Sequence, residues 1–115
     1  MTSISSRDQC TPYHWGKGGV GWPLIQSVAF EVKEEELACG CAEKRHKHEH
    51  ASQSYYILSG TAEVETEGKT AHLSVGDCLF IPAGSVHRFA NKTDTCLHLL
   101  VVSVPPVSVD RIDLE

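Results

Sequence analysis

No apolar run in this 115-residue chain approaches the length of a membrane span, which excludes a membrane-crossing helix. Nor is there a basic block, and the net charge of −5 argues against nucleic acid as a partner. The opening residues, Met1 to Asp8, lack the charged and apolar regions of a signal peptide. A cytoplasmic location is the expectation. The cysteines number five, so a complete set of disulfides within one chain is impossible, and buried reduced thiols are expected instead. Cys39 and Cys41 precede a histidine cluster, but zinc thiolate sites usually show a two-residue spacer, so a metal role for this pair is not favoured. Sustained helical periodicity with caps is missing throughout, as are internal repeats and low-complexity tracts.

What is present are short strand signals separated by glycine and proline turns, the pattern of an antiparallel sandwich or barrel. The length allows one domain, residues 1–115, and the 41% hydrophobic content is enough for a single core. Val28, Phe30 and Val32 alternate with Ala29 and Glu31 and predict a half-buried strand. Glu34-Glu35-Glu36 reads as a solvated connection. Tyr55 to Leu58 is apolar at every position, as in a strand packed on both faces. Thr61 to Thr66 leads through Glu67-Gly68-Lys69 into a hairpin, and Thr95 to Val104 is the last long strand, stopped by Pro105-Pro106. A barrel of about 24–106 is thus flanked by a segment of 1–23 and a tail of 107–115. Tyr13 to Pro23 holds Trp15, Trp22 and four glycines and is expected to form neither helix nor strand. Its tryptophans either pack on the barrel or a neighbouring subunit, or form a lid.

Two stretches carry chemistry. In the first, His46, His48 and His50 alternate; on a strand such residues face one way, and two imidazoles so spaced can grip one divalent ion at roughly 2.0–2.2 Å. Gln53 follows with an amide oxygen. In the second, Pro82-Ala83-Gly84 ends an apolar strand and His87 heads the next, a candidate third nitrogen ligand. Arg88 should point to the opposite face from His87.

These stretches together resemble the two motifs of the cupin superfamily. Gly40, His46, His48 and Gly60 fit the first motif, with Gln53 where glutamate is expected. Gly76, Pro82, Gly84, His87 and Asn91 fit the second throughout. Tyr13-His14-Trp15-Gly16, Gly21-Trp22 and the tail resemble small cupins of the phosphomannose isomerase-like group. The resemblance implies an all-β double-stranded β-helix, a jelly-roll barrel with a metal at its mouth. It also implies His46, His48, Gln53 and His87 as ligands of one divalent transition metal, with open positions for water or substrate. Imidazole and oxygen ligands suit Fe, Mn, Ni, Zn, Co or Cu alike. An amide cancels no charge, so the site would carry about +2 where glutamate would leave about +1; weaker metal binding and a preference for anionic ligands follow. Gln53 is no proton acceptor in the way a glutamate is, so acid–base chemistry would fall to Tyr55 or His50. His14, His72 and His98 stand alone, and Asn91-Lys92-Thr93 reads as a turn and not a glycosylation site.

Three functions remain open: a metal-dependent dioxygenase, isomerase or lyase acting on a small organic acid or sugar-like molecule; a binding or sensing domain without turnover; and a structural cupin with an incidental metal. A small-molecule ligand and a homodimer are the expected partners.

Overall fold

The structure, a computed structural model, describes residues 2–107 and 110–114. After a 3-10 turn at Arg7–Gln9 come strands β1 (Tyr13–Trp15), β2 (Gly19–Gln26), β3 (Glu31–Leu37) and β4 (His46–His48). The chain continues with β5 (Ser52–Ser59), β6 (Ala62–Thr66), β7 (Lys69–Leu73) and β8 (Cys78–Ile81). It closes with β9 (His87–Ala90), β10 (Leu97–Val104) and β11 (Arg111–Asp113). They build two antiparallel sheets, one ordered β1-β2-β3-β10-β5-β8 and the other β11-β4-β9-β6-β7. This is the expected double-stranded β-helix. No helix among the described residues is long and apolar enough to cross a membrane.

Alternation along the strands gives the barrel two different ends. On β10 the inward residues run Leu97, Leu99, Val101 and Ser103, opposite Ile57, Tyr55 and Gln53 of β5 in register from Leu99 onward. Leu97 and Leu99 pair across β3 with Leu37 and Glu35. The inward polar residues therefore gather at one end of the barrel, at the finish of β10 and the start of β3 and β5, and the apolar ones at the other. Phe89, Leu37, Ile57, Leu97 and Leu99 are fully buried at the apolar end; His46, His87 and Ser103 are as deeply buried at the other.

The glycine-rich segment is strand, contrary to its expected irregularity. Tyr13 lies opposite Gly21, and Trp15 opposite Gly19. A Cβ at Gly21 would sit 2.2 Å from the Tyr13 ring, and one at Gly19 2.6 Å from the Trp15 ring. These glycines leave room for the aromatic rings that cross them, so they belong to the sheet and do not interrupt it. Trp15 packs against the core, and Arg7 stacks over Trp22 at 3.6 Å. Sheet pairing thus extends beyond 24–106 at both ends, through β1 and β2 and, in the tail, through β11 against β4. The tail's Ser108, Val109 and Glu115 lie outside the described residues.

Three other expectations need correction. Val28 is 98% exposed in the turn before β3, and the strand begins at Glu31. The triple glutamate is part of β3 because each carboxylate has a partner: Arg7 reaches Glu34 and Glu36 on the outer face, and Tyr13 donates to Glu35 within. Tyr56 and Leu58 alternate outward to an exposed face, so β5 is packed on one side only. The five cysteines are free, as expected, but none is buried. The Glu67-Gly68 hairpin forms as read, with φ of 52° and 73° at its two turn residues.

Candidate metal centre

Strands β4 and β9 bring the histidines together. His46 faces His87 directly across the pair, with ring centroids 4.2 Å apart, and His48 lies 5.1 Å from His46. One nitrogen from each of the three rings falls within 4.8 Å of the others, and all three side chains are buried. Nδ1 of His46 is 3.0 Å from the Lys44 carbonyl, and Nδ1 of His87 is 3.0 Å from the Ser85 carbonyl. Each ring donates there, which leaves Nε2 with its lone pair for a ligand. Burial, with the neighbouring His87 and Arg111, pushes the His46 pKa down to about 3. Burial and His87 bring His48 to about 4, and burial lowers His87 as well. All three are neutral at physiological pH, the form that binds metal. Nδ1 of His48 is buried without a hydrogen-bond partner among the described residues. Three converging neutral imidazoles with an unpartnered nitrogen fit a divalent transition metal.

A cavity of about 260 Å³ opens beside them, lined in part by His46, His48, Gln53, Tyr55, Glu43 and Arg111. Gln53 is held at both ends: its Nε2 donates to Ser103 Oγ at 3.1 Å, and its Oε1 accepts from the Tyr55 hydroxyl at 2.7 Å. That carbonyl keeps a second lone pair. Tyr55 is buried, 3.5 Å from His87 Nε2, and burial holds its pKa well above the ordinary phenol value, so the hydroxyl serves as a donor. His50 is elsewhere: β4 stops at His48, and the exposed His50 lies outside this cavity. Arg88 sits behind His87, away from the cavity, as alternation requires. Cys41 packs against the core and Cys39 is exposed.

Several cavity residues escaped the sequence reading. Glu43 accepts from the Phe89 amide and from Arg111, and burial drives its pKa up to about 8 against the pull of Arg111. Tyr13, Lys33 and Glu35 enter from the first sheet. Burial raises Glu35, against the hydrogen bond from Tyr13. The period-two run Glu31-x-Lys33-x-Glu35-x-Leu37 was the available signal for an inward polar face. Asp110 accepts from the backbone amides of Glu49, His50 and Ala51 at 2.9, 3.1 and 2.8 Å and so fixes the exit from β4. Those three donors outweigh the effect of burial and hold its carboxyl below the usual range.

A cupin domain profile matches residues 33–103. The chain is 32% identical over 79 residues to a mannose-1-phosphate guanylyltransferase of Sinorhizobium fredii, covering 69% of this chain but 15% of that protein. Among solved structures, a polyketide cyclase from Streptomyces resistomycificus superposes with a TM-score of 0.85 at 21% identity, over 100% of this chain and 87% of that one. A predicted oxalate decarboxylase from Thermotoga maritima gives 0.79 at 25% identity, over 90% of this chain and 100% of that one. With the profile spanning most of the barrel and both histidine stretches, the chain belongs to the cupin family.

Proposed function

We propose that the protein binds one divalent transition metal through His46, His48 and His87, with Gln53 as an oxygen ligand, and acts on a small anionic or sugar-like molecule in the adjoining cavity. The convergence of three buried neutral imidazoles carries this reading. A metal bound there supplies Lewis-acid or redox chemistry. The chain's own groups set the rest. Neutral Gln53 leaves the metal charge uncompensated, so an anionic oxygen is the favoured guest, while Lys33 and Arg111 at the cavity wall are each paired with a carboxylate, Glu31 and Glu43. The Tyr55 hydroxyl orients the Gln53 amide, and on the first-sheet wall of the cavity Tyr13 donates to Glu35. Buried Phe89, Leu99 and Tyr55 keep the inner wall dry.

Binding without turnover is the second reading. It is favoured by the engagement of Tyr55 with Gln53, which leaves its hydroxyl already partnered. Cobalt(II) titrated into metal-stripped protein tests the metal: one equivalent should saturate the visible absorption, and no uptake overturns the proposal. With the metal loaded, product formed from added organic acids or sugars supports an enzyme, and ligand binding without product supports a sensor. We also propose a homodimer, since Tyr56, Leu58, Phe80 and Val104 stay exposed on the outer face of the first sheet. Sedimentation showing only monomer would overturn it.

A further inference from the structure

Ten lysines and arginines serve an acidic chain, and most are spoken for. Arg7, Lys33, Arg45, Lys47, Lys92 and Arg111 each hold a carboxylate. Lys17, Lys44, Lys69 and Arg88 form no side-chain hydrogen bond or ion pair among the described residues. Three of these four, Lys17, Lys44 and Arg88, line one open groove of about 760 Å³ on the barrel's outer side.

The groove is assembled from distant parts of the chain. Lys17 comes from the β1–β2 turn, Lys44 from the connection into β4, and Arg88 from the outer face of β9. Small residues, Gly16, Gly40 and Ala42, line the space between them. The Lys17 amide donates to the Ala42 carbonyl at 3.3 Å, which fastens the turn to the connection. A Cβ on Gly16 would lie 3.0 Å from that of Glu43, so the turn packs close only because this residue is glycine. Two carboxylates, Glu43 and Asp113, also reach the groove, but Arg111 engages both, at 3.3 and 2.7 Å. Arg111 balances one of these carboxylates, Lys44 lies near Asp113 and Arg88 lies opposite Glu65, but none of the three cations forms an ion pair among the described residues, and cations outnumber carboxylates along the groove. Cations gathered in excess repel one another, and a multiply charged oxyanion relieves that cost. Trp15, Glu43 and Arg111 line both this groove and the cavity that His46 and His48 enter.

We propose that the groove of Lys17, Lys44 and Arg88 is a second ligand site, which binds the dianionic phosphate group of a small molecule. Three cations match a doubly charged tetrahedral anion better than a single carboxylate. This site stands on its own residues; only its use by a molecule that also reaches the cavity rests on the metal reading.

The probe is inorganic phosphate, titrated calorimetrically at low ionic strength into the full chain. Lys44→Glu/Arg88→Glu should weaken binding about tenfold or more, and added salt should weaken it in the wild type. Lys44→Ala/Arg88→Ala, with circular dichroism to check the fold, separates loss of the cations from damage by charge reversal and should weaken binding less but clearly. His46→Ala should keep phosphate binding while losing metal. Acetate should bind more weakly than phosphate. No phosphate binding by the wild type, equal binding by both double variants, or acetate binding as tightly as phosphate would each overturn the site. Loss of phosphate binding in His46→Ala alone would overturn it too, because the anion would then lie in the metal cavity.

Discussion

The two ends of the barrel are built by the same strands and differ in what those strands present inward. At one end β3, β5, β9 and β10 contribute Leu37, Ile57, Phe89 and Leu97, with no polar side chain among them. At the other, two or more residues away on each strand, the same strands contribute Glu31, Gln53, His87 and Ser103. Both ends are buried, so solvent exposure does not distinguish them. The apolar end gains free energy from burial itself, while the polar end spends it by desolvating imidazoles, an amide and carboxylates. Such a set is retained where a ligand offsets the cost. The barrel thus separates stability from function along its own axis, and mutations at the two ends should fail in different ways.

The largest effect should come from the apolar end. Phe89→Ala empties a fully buried position and should destabilise the fold by about 3–5 kcal/mol, read from denaturant unfolding of the metal-free protein. A value below about 1 kcal/mol would mean the apolar end is not the source of stability.

Acid should act on the other end. In the unfolded chain His46 and His48 titrate near the ordinary value of roughly 6.5, but in the fold they reach only about 3 and 4. As pH falls through about 6.5 the unfolded chain takes up protons that the folded chain refuses, so their contribution to stability declines progressively toward pH 4. Melting of the metal-free protein at stepped pH should carry this decline, and His46→Ala should make it shallower. Glu43 and Glu35, whose carboxyls burial raises, act in the opposite sense over this range, so the readout is the difference between the two proteins: the same pH dependence in His46→Ala as in the wild type would contradict a neutral buried His46.

Gln53→Glu sharpens the comparison further. A carboxylate beside the metal should tighten metal binding about tenfold, in a competition titration, and should make the metal-free protein less stable because an unpaired charge is then buried. Unchanged affinity would remove Gln53 from the ligand set. Asp110→Asn should be the mildest change. It weakens the hold on the amides of residues 49–51 and should lower the melting temperature by a few degrees while loosening metal binding severalfold. Metal binding that is untouched would make the clamp purely structural.

Much of this was legible in the sequence. The alternation of His46 and His48 and the turn before His87 carry the three imidazoles, because both signals are local. The reading failed where residues distant in sequence compensate one another. Four glycines between Tyr13 and Pro23 read as breaks, yet Gly19 and Gly21 are spaces for rings that lie opposite them only after the hairpin forms. Three adjacent glutamates read as solvated, yet Arg7 and Tyr13 reach them from the N-terminal segment. His50 shares the period of His46 and His48, but β4 ends before it, and Asp110 holds the departing backbone. Glu43 and Arg111 enter the cavity through the pairing of β11 with β4, a register that no local pattern announces.

Elemental analysis of the purified protein, with His46→Ala and Lys44→Glu beside it, tests the central claim most directly. The account predicts about one equivalent of a transition metal in the wild type, its loss in His46→Ala, and its retention in Lys44→Glu. No metal in the wild type after reconstitution with each of Fe, Mn, Co, Ni, Cu and Zn would contradict it, as would equal metal in His46→Ala.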